Sequence, residues 1–139
     1  MGLTHITVAV CDLTKSSAPF EGEFLVDTGA IDCLAPRDRL LAAGIKPEGK
    51  AVYELADGTT IEMEYGFARI EFFGEATVVQ IIFGAPDSEP ILGAVALDNV
   101  GIVVDPVSQT LKRLHAKPLK RGAVSNTSSM LHEVGVSVI

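Results

Sequence analysis

Phe24-Leu25-Val26-Asp27-Thr28-Gly29-Ala30 sets one acidic residue at the end of an apolar run and follows it with a hydroxyl and a glycine. A carboxylate beside Phe24, Leu25 and Val26 loses part of its hydration, which is costly unless the group is hydrogen-bonded or used. Gly29 permits a tight turn and close backbone approach, and the Thr28 hydroxyl can bond across the turn or to a neighbouring chain. Taken alone, Asp27-Thr28-Gly29 reads as an Asx turn closing a strand. Two later segments change that reading.

The first is Glu89-Pro90-Ile91-Leu92-Gly93-Ala94-Val95-Ala96-Leu97, a two-residue apolar step into a glycine followed by a short apolar, helix-like run. The second lies between them. Tyr53-Glu54-Leu55-Ala56 and Thr60-Ile61-Glu62-Met63-Glu64-Tyr65 alternate in strand fashion about Asp57-Gly58-Thr59, and Asp-Gly is a strong hairpin-turn signal.

In this order, between Phe20 and Leu114, these segments resemble the retropepsin-like aspartic proteases, and a prokaryotic single-lobe member more than a viral one. The resemblance implies a mainly β, closed-barrel-like acid-protease fold with one lobe per chain and one or two short helices. It implies Asp27 as the catalytic acid and base. Thr28 would brace two active turns across a dimer axis, and Gly29 and Ala30 would leave room for substrate backbone. Ile91, Leu92 and Gly93 would support the turn from below, while Asp32 and the hairpin tip Asp57, Gly58 and Thr59 would face bound peptide. Each has a plain counterpart: a local turn bond for Thr28, simple turn geometry for Gly29 and Ala30, a surface turn for the tip.

Length turns the resemblance into a mechanism. The chain has 139 residues, enough for one domain with a real core. Aspartic proteolysis needs two carboxylates sharing a proton, one to activate water and one to polarise the scissile carbonyl. A second Asp-Thr-Gly or Asp-Ser-Gly is absent: Asp57-Gly58-Thr59 has the wrong order and Asp87-Ser88-Glu89 lacks the glycine. The symmetric solution is a two-fold homodimer with Asp27 of each protomer at the axis. The expected activity is endopeptidic hydrolysis of a peptide or protein, with no covalent intermediate. The alternative is a non-catalytic or latent module of the same fold that binds extended peptides or dimerises. Residues 1–115 are expected to form the protease-like domain.

Departures from the retroviral pattern bear on both readings. Ile31 stands where retroviral members carry the first acid of an acidic pair, and Ala94 stands where they usually carry arginine after the apolar-apolar-glycine step. Two cross-dimer anchors are therefore replaced. The hairpin tip is anionic instead of glycine-rich and apolar.

Composition sets limits. A hydrophobic fraction of 47% with 21% charged residues describes a packed globule, not a disordered chain. A formal charge of −7 argues against nucleic acid, and Lys112, Arg113, Lys117, Lys120 and Arg121, without interleaved aromatics, read as a solvated edge or tail. No apolar run is long enough to span a membrane and no leader pattern opens the chain, so a cytoplasmic location without a membrane partner is expected. Cys11 and Cys33 lack metal spacing, His5, His115 and His132 are scattered, and no phosphate loop or nucleophile elbow is present. Neither a metal nor a cofactor is expected.

The remaining periodicity predicts strands over Thr4–Val10, Glu23–Val26, Phe67–Phe73, Thr77–Phe83 and Gly101–Asp105, with a return strand from Thr110 to Leu114. Pro36 to Gly44 predicts one short helix, with proline near its first turn and glycine as its stop, and Val95–Leu97 a helical turn. Residues 116–139 are an extension whose alternating end, Val134 to Ile139, suits an added strand or a segment lying in the cleft, and whose polar first half suits disorder.

Overall fold

The computed structural model describes residues 4–117, which are mainly β with two short helices. β1 (His5–Cys11) sends Val8 and Val10 inward and leaves His5 and Thr7 exposed. β2 (Phe20–Val26) buries Phe24 while Glu21 and Glu23 face solvent, the two-residue period of a half-buried strand. After β2 come β3 (Cys33–Pro36), α1 (Arg37–Ala42), β4 (Gly49–Glu54), β5 (Thr60–Phe72), β6 (Glu75–Gly84), β7 (Ile91–Leu92), α2 (Ala94–Asn99), β8 (Ile102–Asp105) and β9 (Thr110–Arg113).

Seven strands form one sheet in the order β1-β2-β7-β3-β6-β5-β4, and β1 also pairs with β5, so six of them close a ring. Only β4 stands outside it, paired to the first half of β5. Val8, Phe24, Ile70, Ile81 and Leu92 are fully buried in the core, and each contributes roughly 1.5–3 kcal/mol through apolar burial. β8 and β9 make a separate antiparallel pair, and α2 packs on β6 and β8.

α1 follows Pro36 and stops as its sequence predicts. Gly44 takes φ +88° and its N–H bonds to Leu41 O, while Ile45 N–H bonds to Leu40 O, the two contacts of a Schellman stop. Leu40 and Ile45, which meet across such a stop, are both buried.

Several element boundaries differ from the sequence reading: β2 begins at Phe20 and not at Glu23, and β4 is Gly49–Glu54 where Tyr53–Ala56 was expected. The strands expected at Thr60–Tyr65 and Phe67–Phe73 are one strand of 13 residues, Thr60–Phe72. Gly66 marks a close approach there instead of a break: a Cβ on it would lie 2.5 Å from Lys46 O, so the backbone of the preceding loop crosses at that point. The β5–β6 turn falls on Phe73-Gly74, both at positive φ, with Phe72 opposite Glu75. β3 and β7, too short to announce themselves by period, were not anticipated as strands. Most of the expected 116–139 extension, with its added-strand, disorder and cleft readings, lies outside the described residues.

Candidate active site

The Asp27 turn is built by three neighbouring strands. β2 leads into it and β3 leaves it, and the two-residue β7 lies between them, parallel to β2 (Leu25 opposite Ile91, Val26 opposite Leu92) and antiparallel to β3 (Leu34 opposite Ile91). The chain therefore returns through the gap between the two strands that flank its own turn. Asp27 N–H donates to Leu92 O at 3.0 Å and Leu25 N–H to Pro90 O at 2.9 Å, which ties the end of β2 to the Pro90-Ile91-Leu92 segment.

Beyond Leu92 the chain clasps the turn from a second side. A six-residue helix begins at Ala94, and the first N–H groups of any helix have no partner within it. Here Ala94 N–H donates to Ala30 O at 2.7 Å and Val95 N–H to Ile31 O at 3.1 Å, so the start of the helix is satisfied by the carbonyls of the turn. Gly93 makes that approach possible. A Cβ on it would lie 2.5 Å from Asp32 O and 2.7 Å from both Asp32 C and Ile31 O. Leu92 and Gly93 thus touch the backbone of the turn directly, and Ile91 pairs with the strands on either side of it.

Within the turn, Asp27 Oδ1 accepts from Gly29 N–H at 2.9 Å and Asp27 O accepts from Ala30 N–H at 3.1 Å. Asp27 as a residue is half-buried, Thr28 and Gly29 are exposed, and the Thr28 hydroxyl has no hydrogen bond among the described residues. Ile31 is 71% exposed beside them, an apolar side chain open to solvent.

The hairpin of β4 and β5 closes through the five residues from Leu55 to Thr59, with Leu55 N–H donating to Thr59 O at 2.7 Å and Gly58 at φ +89°. Asp57 turns back on this loop. Its Oδ1 accepts from the Thr59 hydroxyl at 2.6 Å and from Thr59 N–H at 3.0 Å, and these bonds hold its carboxyl below the usual range. The tip residues Asp57, Gly58 and Thr59 therefore form a self-contained turn.

Asp32 is placed differently. One of its oxygens accepts from the Tyr53 hydroxyl at 3.2 Å and from Gln80 Nε2 at 3.3 Å. Neither Tyr53 nor Gln80 was singled out from the sequence, although Gln80 is the one polar residue in Val78-Val79-Gln80-Ile81-Ile82-Phe83, and that interruption was a readable signal. Cys33 was also missed as a part of the site. Burial pushes its thiol up to about 11, against a smaller opposing effect of the Gly93 N–H directed at its sulfur.

Elsewhere, Lys112 pairs with Asp105 at 2.9 Å, Arg113 with Glu75 at 3.1 Å, and Lys117 donates to Asn99 O at 2.6 Å, so these members of the basic cluster are engaged within the chain. A shallow surface depression lined by Thr7, Glu21, Arg69 and Glu71 contains none of the predicted site residues. Among the described residues no group of His, Cys, Asp and Glu is arranged to hold a metal ion, and no helix is long and apolar enough to cross a membrane. No family model matches this sequence, and no curated protein matches it.

Proposed function

We propose that this chain is one half of a homodimeric aspartic endopeptidase with the retropepsin-like acid-protease fold. The observation that carries the reading is the threading of Ile91-Leu92-Gly93 between β2 and β3, beneath the Asp27 turn. Backbone contact from two sides would hold a carboxylate in one position at the end of a strand, and fixed position is what acid–base chemistry on a bound carbonyl requires. A surface Asx turn needs no such support.

The exposure of Thr28 and Gly29 is consistent with a second copy meeting the turn there. In that arrangement the Thr28 hydroxyl has a partner to reach, and the two Asp27 carboxylates lie side by side at the axis. Two like charges that close cannot both ionise cheaply, so the pair holds one proton. The ionised member takes a proton from water as the water adds to the scissile carbonyl. The protonated member donates to the carbonyl oxygen, and the resulting diol collapses with proton transfer to the leaving amine. The hairpin of β4 and β5 would cover an extended peptide from above.

The test is digestion of a complex peptide library over about pH 3 to 7 by the unmutated chain and by Asp27→Asn, with new termini identified by mass spectrometry. Cleavage by the unmutated chain, reduced by about 10³-fold or more in Asp27→Asn, is expected. Absence of cleavage by a protein that sediments as a dimer would instead leave a peptide-binding or latent module.

A further inference from the structure

Three side chains from three separate elements meet next to the Asp27 turn. Tyr53 of β4 donates its hydroxyl to Asp32 Oδ2 at 3.2 Å. Gln80 of β6 donates Nε2 to that same oxygen at 3.3 Å and to the Tyr53 oxygen at 3.1 Å, which closes a triangle. All three residues are half-buried. Because the Tyr53 oxygen accepts from Gln80, its own hydrogen is directed to the carboxylate. Gln80 stands in a strand whose neighbours Val79, Ile81, Ile82 and Phe83 are buried, where an amide is costly without partners.

The arm formed by β4 and the first half of β5 has little else to hold it. β4 pairs with β5 alone, and residues Thr60 to Glu64 of β5 pair with β4 alone, so this part of the hairpin is a two-stranded ribbon, marginal by itself in water. Two side-chain tethers join it to the rest of the described residues by hydrogen bonds. One is the ion pair of Arg37 and Glu64 at 2.9 Å, near the base. The other is Tyr53, which lies opposite Ile61 and close to the tip.

We infer that Asp32, Tyr53 and Gln80 form a positioning device that sets the height of the hairpin over the catalytic turn, with Asp32 acting through Tyr53 and not on the substrate. The two ends of the triangle explain its value. Asp32 belongs to the segment whose backbone is packed against Gly93, and Tyr53 belongs to the two-stranded end of the ribbon, so the bond between them joins a closely packed part of the site to one with few other partners. Its effect on turnover rests on the peptidase reading, but the tether itself does not.

The experiment is hydrogen–deuterium exchange on the full chain without peptide, followed over residues 52–62, together with peptide hydrolysis. Tyr53→Phe keeps the ring and removes only the hydroxyl. Its arm is expected to exchange about five- to tenfold faster, with β1 and β2 unchanged, the loss expected for one hydrogen bond of ordinary net strength. Asp32→Ala should behave in the same way, whereas Asp32→Asn, which retains an acceptor for both donors, should stay within about twofold of the unmutated chain. In hydrolysis, Tyr53→Phe should raise KM about fivefold and leave kcat within about twofold, since the carboxylates at the axis are untouched. Unaltered exchange in Tyr53→Phe would overturn the inference. So would an Asp32→Asn variant with unaltered exchange and a large rise in KM, which would mean that Asp32 touches the peptide itself. If the unmutated chain cleaves nothing, the peptidase reading fails while the exchange result still decides the tether.

Discussion

Replacing Gly93 with alanine isolates the contact on which the Asp27 turn depends. Gly93 has φ −90° and ψ 177°, extended backbone that any residue adopts, so alanine brings no torsional penalty. What it brings is a methyl group 2.5 Å from Asp32 O, short by about 0.9 Å of the 3.4 Å at which ordinary van der Waals contact begins. The obstructing atoms are backbone, with no flexible side chain to swing aside. Opening the gap by that amount would stretch the 2.7 Å bond from Ala94 N–H to Ala30 O to about 3.6 Å, beyond hydrogen-bond reach. Overpacking and the lost bond together should cost about 2–4 kcal/mol. Denaturant unfolding of Gly93→Ala measures this directly, and Gly58→Ala is the control. Gly58 sits at φ +89° with nothing within 4 Å of its Cβ position, so its substitution should cost only about 1–2 kcal/mol of backbone strain. Amide exchange at Ala94 and Val95 reports whether the clasp has opened. A Gly93→Ala protein within about 0.5 kcal/mol of the unmutated chain, with Ala94 and Val95 still protected, would refute the claim that this glycine supports the turn by close approach.

Two further predictions come from titrating groups. The Lys112 ammonium at 2.9 Å, with the Val107 N–H behind it, holds the Asp105 carboxyl down to about 2 from an ordinary 3.8. A lowered folded value means that the stabilisation is complete above about pH 4 and lost as pH falls toward 2. Amide protection in the β8–β9 pair should fall over that window, and an Asp105 carboxyl that titrates near 3.8 by NMR would contradict it. Cys33, pushed up to about 11 by burial, is stabilising as a thiol below its ordinary value of 9 and becomes a liability as pH rises toward 11. An alkylating reagent at about pH 8 should spare Cys33 in the native protein and modify it after unfolding; mass spectrometry showing rapid native modification would contradict its burial.

Much of the strand inventory was legible because it rests on local chemistry. The strand at Glu23–Val26, the Asp57-Gly58 turn and the Pro36 and Gly44 punctuation of α1 each follow from side-chain period or backbone permissiveness within a few residues. Gly66 misled for the same reason. The side-chain period places it between two expected strands, whereas it lies inside one, where Lys46 O from elsewhere in the chain would be 2.5 Å from a Cβ on it. β7 was invisible to periodicity at two residues, and it is a strand only because β2 and β3 offer ladders on both sides.

The site divides along the same line. Asp27, Thr28, Gly29 and the Ile91-Leu92-Gly93 step were picked out by the family resemblance of their residue types and order, since Asp27-Thr28-Gly29 by itself reads as an Asx turn. That Gly93 touches the Asp32 backbone, that Asp57 is consumed by its own turn and that Asp32 is held by Tyr53 and Gln80 depend on distances between segments far apart in the chain. Sequence by itself determined which groups were available and where the chain could turn. Only the tertiary structure decided which of them share hydrogen bonds, because such bonds act over about 3 Å and nothing in the one-dimensional order specifies which distant donor arrives within that reach.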